Sequence, residues 1–193
     1  FPQGIQTIVQ RRLARVPDAA VPLLVGTAVA GRQIDLSLLP LLAGTTNTKI
    51  PTDRWLATCA EAAVLELFNG NWRFAHDKLR AGILETINTA EKKQWHHTVA
   101  RLIEQVHSDD PEQAAALVHH WHEAENVRKE RHYARLAGEH AQQQFLNEVA
   151  LNFYDRALEL TDANNLLEQF ELHLAREHIY HFLGRRDEQQ ATL

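Results

Sequence analysis

Leu65-Glu66-Leu67-Phe68-Asn69-Gly70-Asn71-Trp72-Arg73-Phe74 is the stretch whose period differs from the rest of the chain. Leu65 and Leu67 flank Glu66, Trp72 and Phe74 flank Arg73, and Asn69-Gly70 lies between the two runs. Successive strand side chains point to opposite faces, and Asn-Gly readily supplies the two left-handed residues of a tight hairpin turn. The stretch therefore predicts a β-hairpin. No other segment carries a convincing strand signal, so the expected fold class is mainly α with one hairpin.

On the N-terminal side the apolar residues recur at helical spacing. Ile5, Ile8, Val9, Leu13 and Val16 form one stripe, with Arg11, Arg12 and Arg15 off it. Pro17-Asp18 ends that helix and begins a second, through Val21, Leu24, Val25, Ala28 and Val29 to a stop at Gly31. A short third helix is expected from Asp35 through Leu36, Leu38, Leu39, Leu41 and Leu42 to Gly44, then a polar loop over residues 45–51. Asp53 is expected to cap a fourth helix with Trp55, Leu56, Cys59, Ala60 and Ala63 inward. Helices followed by a single hairpin are the order of a winged-helix domain, assigned to residues 1–90.

On the C-terminal side everything is helical. Leu79, Ile83 and Ile87 make one stripe, and Trp95, Val99, Leu102, Ile103 and Val106 a cleaner one. Residues 91–110 read as a connecting helix and linker, with Ser108-Asp109-Asp110-Pro111 also capping the next helix. Over residues 111–193 helices come in pairs, with breaks near Glu125-Asn126, Phe145-Leu146, residues 161–165 and Gly184. Paired helices at a period in the thirties predict an α-solenoid. Residues 131–162 fit the tetratricopeptide (TPR) pattern: Gly138 at the small position of the first helix, and Ala150, Tyr154 and Ala157 at the small, aromatic and small positions of the second. Ala134, Ala137 and Ala141 replace larger consensus residues, and Asp162 stands where proline is usual. A further repeat begins near Leu166, with Leu183-Gly184-Arg185-Arg186-Asp187-Glu188 as its inner turn and Leu193 inside its second helix. The array thus reads as cut off before a polar capping helix. The absence of methionine among the 193 residues likewise predicts an excised or processed piece of a longer protein.

A net charge of −5 gives no support to nucleic-acid binding through overall charge. One cysteine, Cys59, rules out an internal disulfide and predicts a reducing, cytoplasmic setting. No apolar run reaches the roughly 20 residues of a membrane helix, and Phe1-Pro2-Gln3-Gly4 lacks the features of a signal peptide.

Phe74-Ala75-His76-Asp77-Lys78-Leu79-Arg80, where the hairpin runs into the next helix, has the form aromatic-x-His-Asp-x-x-Arg. This resembles the nucleotide-sensing motif of STAND-class ATPases, a class that includes MalT-like regulators, NB-ARC proteins and ATPases fused to bacterial cyclases and kinases. Pro2-Gln3-Gly4-Ile5, Arg11-Arg12-Leu13-Ala14-Arg15-Val16-Pro17 and Ala28-Val29-Ala30-Gly31-Arg32-Gln33-Ile34-Asp35 are similar to the winged-helix domain of that class, and Leu117-Val118-His119-His120-Trp121 to its first following helical unit. The resemblance implies that His76 touches the β-phosphate of ADP in a closed, inactive state. An imidazole N–H can donate to a phosphate oxygen, and a helix start adds free N–H groups. Asp77 is the expected cap of that helix. The competing reading makes His76 a packed or capping junction residue. ADP and ATP are implied for the parent protein only: no Gly-x-x-x-x-Gly-Lys-Ser/Thr loop is present, and no cofactor is expected in this chain. The implied partners are the protein's own NTPase core and a protein or small-molecule inducer at the repeats.

Other constellations carry less. His119, His120 and His122 crowd one helix, but zinc needs three or four converging ligands, no His-Glu-x-x-His occurs, and Cys59 is far off in sequence. Packing or solvation is preferred for them and for His96-His97, and no metal is expected. No Gly-x-Ser-x-Gly occurs and Cys59 sits on an apolar stripe, so no catalytic site is expected in this chain. A TPR-like protein-interaction scaffold is the alternative function. A DNA-binding regulator is the third, and residues 35–42, its recognition helix, carry no Lys or Arg. The chain is therefore expected to pass unretained through immobilised duplex DNA at low salt; salt-sensitive retention would revive the DNA-binding class.

Overall fold

The computed structural model describes residues 3–46, 48–108 and 110–187, apart from the side chains of residues 3–6 and 8. The side chains of Ile5 and Ile8 of the first predicted stripe, Asp109 of the predicted linker, Glu188 of the predicted inner turn and the predicted helix containing Leu193 therefore lie outside what is described. The chain divides into two compact units, Phe1–Val106 and His107–Leu193. Among the described residues there are ten α-helices and one two-stranded antiparallel sheet, so the fold is mainly α. No described helix is long and apolar enough to cross a membrane.

The first unit contains α1 (Gln3–Leu13), a 3-10 turn (Asp18–Ala20), α2 (Val21–Ala30), α3 (Leu39–Thr45) and α4 (Thr52–Glu61). The strands β1 (Leu65–Phe68) and β2 (Asn71–Phe74) follow, then α5 (Asp77–Leu84) and α6 (Thr89–Val106). The boundary after Val106 places α6 in the first unit, where the sequence had set residues 91–110 apart as a connector. α2 is the central element. Leu23, Leu24, Ala28 and Val29 are buried, and Trp55 of α4 joins them while donating from Nε1 to the Ala20 carbonyl at 3.0 Å. That bond satisfies the one polar group on a large buried ring.

Three local expectations are corrected. α3 starts at Leu39, not just after Asp35, because Pro40 suits a first turn and Asp35 Oδ1 instead accepts from the Ser37 N–H at 2.8 Å, closing a separate turn. The same helix runs through Gly44 to Thr45. Pro51, not Asp53, holds the cap position of α4, and no side chain caps that helix; Asp53 lies in its first turn, where a carboxylate suits the helix dipole. Ala62, not Ala63, is buried at its end; Ala63 turns left-handed at φ 55°.

The hairpin forms as its residues demand. Leu65 pairs with Phe74, Glu66 with Arg73, Leu67 with Trp72 and Phe68 with Asn71. Asn69 and Gly70 take φ values of 49° and 80°, the two left-handed positions of a two-residue turn. Leu65 and Phe74 are buried at the root of the hairpin, while Leu67 and Phe68 are exposed toward its tip.

The second unit begins with a 3-10 turn (Pro111–Gln113) whose cap, Asp110, accepts from the Glu112 N–H at 2.9 Å. The helices α7 (Ala114–Glu123), α8 (Val127–Gln143), α9 (Asn147–Glu159) and α10 (Leu166–Leu183) follow. Each pairs with its chain neighbour, as short connections impose. α7 and α8 end in the same way: Glu125 and Phe145 are left-handed, and the next N–H reaches back to the Trp121 or Ala141 carbonyl at 2.9 Å. Gly184 ends α10 with the same turn. Asn126 and Asn165 cap α8 and α10 through their side chains. The core consists of small residues of α8 and α9 against larger ones of α9 and α10: Ala134, Ala141, Ala150, Tyr154, Leu172 and Ile179.

Two glycines mark helices that touch. A Cβ on Gly138 would lie 2.7 Å from Tyr154 Cε1 and 2.8 Å from Cδ1; one on Gly26 would lie 2.8 Å from Trp95 Cζ3. Tyr154 is buried and tethered by a 2.8 Å bond from its hydroxyl to Gln142, whereas the Trp95 ring is half-buried. Gly138→Ala is thus expected to destabilise by about 1–3 kcal/mol and Gly26→Ala by less, both read from urea denaturation.

Candidate functional site

The junction predicted to carry function is built by backbone pairing before any side chain enters. Phe74 donates its N–H to the Arg32 carbonyl at 3.0 Å, and Ile34 donates to the Trp72 carbonyl at 2.8 Å, with Gln33 and Arg73 bridged antiparallel. Residues 32–34 therefore lie along the outer edge of β2, a pairing that partly satisfies an edge strand. Phe74 is fully buried and anchors the end of β2. Ala75 then donates to the Val64 carbonyl at 3.0 Å, and the chain turns into α5 at His76.

His76 is the cap of α5. Its backbone is extended at φ −153° and ψ 140°, and its Nδ1 accepts from the Lys78 N–H at 3.1 Å. This corrects the expectation that Asp77 caps the helix. A cap residue needs a non-helical backbone with its acceptor two or three residues before the N–H it serves, and Asp77 is already helical. Because Nδ1 accepts, the neutral ring carries its proton on Nε2. His76 is exposed, so the cap leaves a ring N–H donor at a helix start.

Asp77, also exposed, pairs with Arg32 Nε at 3.1 Å. Both side chains are about half-exposed or more, so the pair contributes little stability and serves mainly to orient. Arg80 reaches across to α2 and donates from Nε to the Ala28 carbonyl at 2.7 Å. Partial burial lowers its pKa, an effect the nearby Asp77 carboxylate opposes, and it remains a cation. The His-Asp-x-x-Arg residues are thus brought to one junction, each with a different partner. A single exposed N–H at a helix start fits one contact to a phosphate oxygen; it does not make the multi-donor cradle that a diphosphate requires.

Other sequence candidates land elsewhere. His122, considered with His119 as a metal pair, has Nδ1 3.1 Å from Glu130 and 3.2 Å from Arg156 Nη2. Glu130 is buried, and Arg156 Nε donates to it at 2.7 Å while Nη1 reaches Glu159 at 2.9 Å. Sequence reasoning missed this carboxylate. Within Arg128-Lys129-Glu130-Arg131 it reads as part of a solvated face, and only the approach of α9 reveals it as buried and paired. Cys59 is fully buried, and burial pushes its thiol up to about 12, which keeps it protonated and unreactive.

The chain matches no family model, no curated protein and no solved structure. The junction therefore stands on its geometry alone. His76→Ala is expected to lower stability by about 1 kcal/mol through loss of the cap, whereas His76→Asp, which keeps an acceptor at a favourable helix end, should stay near the parent. Thermal denaturation of the two variants distinguishes them, and equal loss in both would show that the ring packs rather than caps.

Proposed function

We propose that this chain is the regulatory arm of a cytoplasmic STAND-type signal-transduction ATPase. A winged-helix domain and TPR-like repeats would couple the nucleotide state of an NTPase core, elsewhere in a longer protein, to an inducer or partner sensed by the repeats. The observation that carries this reading is the exposed His76, whose Nδ1 accepts the cap bond and so leaves Nε2 as the donor position. The cap bond to Lys78 fixes the tautomer that presents a donor, and the helix dipole favours an anion at the same point. The pairing of residues 32–34 with β2 supports a winged-helix reading of the first unit, and the close seat of Gly138 under Tyr154 supports a TPR-like reading of the second.

In this reading the chain supplies a phosphate contact and no catalytic group. ADP and ATP belong to the core, which would provide the cradle this junction lacks. Arg80 and Arg32 act on position: one ties α5 to α2, the other orients Asp77 beside the ring. The scaffold reading also has a specific support, since the second unit holds its own core of α8, α9 and α10 side chains. In the intact parent protein, His76→Ala and His76→Asp should both speed ADP release and raise basal activity, because both remove the N–H donor while only the first removes the cap. ADP held as tightly as in the parent by both variants would overturn the sensor role. Partner capture by the repeats that ignores nucleotide would favour the scaffold.

A further inference from the structure

A groove of about 560 Å³ runs beside α8, lined by four cations, Arg128, Lys129, Arg131 and Arg135, against the carboxylates of Glu139 and Glu168. This excess of positive charge stands out in a chain whose net charge is −5. Arg131 Nε bonds Glu168 at 3.2 Å; Arg135 Nε bonds Glu139 at 2.9 Å and its Nη1 bonds Glu171 at 2.7 Å. These carboxylates hold the two guanidinium planes in place while leaving Nη donors of each unspent, since an arginine carries five N–H groups. Arg128 is exposed and has no ion-pair or hydrogen-bond partner among the described residues.

The placement is also unfavourable for the helix itself. Arg128, Lys129 and Arg131 all fall in the opening turns of α8, where the positive end of the helix dipole disfavours cations. A feature that works against local stability and stays solvent-accessible points to a ligand that reverses the balance. From Arg128 through Arg131 to Arg135 the face advances about 10 Å at the helical rise, close to three residues of extended chain. Separate carboxylates on a peptide match such discrete, partly pre-oriented guanidiniums in bidentate fashion.

We propose that the α8 groove binds an acidic peptide segment of a partner protein through Arg128, Arg131 and Arg135. This deepens the reading of the repeats as the sensing half by naming a partner chemistry, and rests on that reading for its place in signalling. Its test uses this chain alone, so its failure is separable from that of the nucleotide experiment. A fluorescein-labelled hexaglutamate peptide is titrated with the 193-residue chain and followed by anisotropy. Saturable binding that weakens with salt is expected, with no binding of a hexalysine peptide. Arg128→Glu should weaken it about tenfold and Arg128→Ala by less, with thermal midpoints no lower than the parent's, because the side chain has no partner in the fold and a cation there opposes the helix dipole. Lack of saturable binding, equal binding by Arg128→Glu, or equally tight binding of a single-stranded oligonucleotide of the same charge would each overturn the proposal.

Discussion

Residues 32–34 lie along β2, and this backbone pairing is the constraint on which the rest of the first unit depends. An isolated two-stranded hairpin is marginal in water. Here its root is held on two sides: Leu65 and Phe74 are buried, and the N–H of Phe74 and the carbonyl of Trp72 are taken up by Arg32 and Ile34. The same strip carries the exit of α2, so the turn after that helix and the start of α5 are fixed relative to each other. Arg80 completes the link by bonding an α2 carbonyl from the α5 side. His76 is positioned by this framework, to which its side chain adds the cap bond from the Lys78 N–H.

In the second unit the equivalent constraint is the close approach of α8 and α9 at Gly138 and Tyr154. A ring lying on a helix with no Cβ beneath it sets the distance between those helices, and the alanines around it keep that distance short. Glu130 and Arg156 join the same two helices through a charge pair whose carboxylate is buried and whose guanidinium is part-exposed, and that carboxylate left unpartnered would be strongly unfavourable. The left-handed residues at Glu125 and Phe145 accept backbone strain in return for sharp, repeated turns.

Charge is used differently in the two units. Around His76 the ions are half-exposed and act as guides, while along α8 the arginines are held by carboxylates that leave part of their donor capacity open. Much of this was legible in the sequence only as residue type. The His-Asp-x-x-Arg spacing falls where strand gives way to helix, but which residue caps the helix depended on where the backbone turned helical, a matter of one residue that spacing alone does not resolve. Asp53 failed as a cap for the same reason, and α3 starts at Leu39 rather than just after Asp35, whose carboxylate takes up the Ser37 N–H two residues on.

The sequence by itself determined the element types, because helix and strand periods and the Asn-Gly turn are local properties. The hairpin, its register and the breaks at Glu125, Phe145 and Gly184 follow from neighbours a few residues apart. It also assigned Gly138 to a small position and Tyr154 to an aromatic one, but that the two meet is seen only in the tertiary structure. Only the tertiary structure decided that residues 32–34 extend the hairpin, that Arg80 bonds Ala28, that Glu130 is buried and that three arginines of α8 share a groove with Glu168 of α10. Each of these joins groups distant in sequence. Burial and charge pairing are set by which surfaces meet, and no local pattern encodes that.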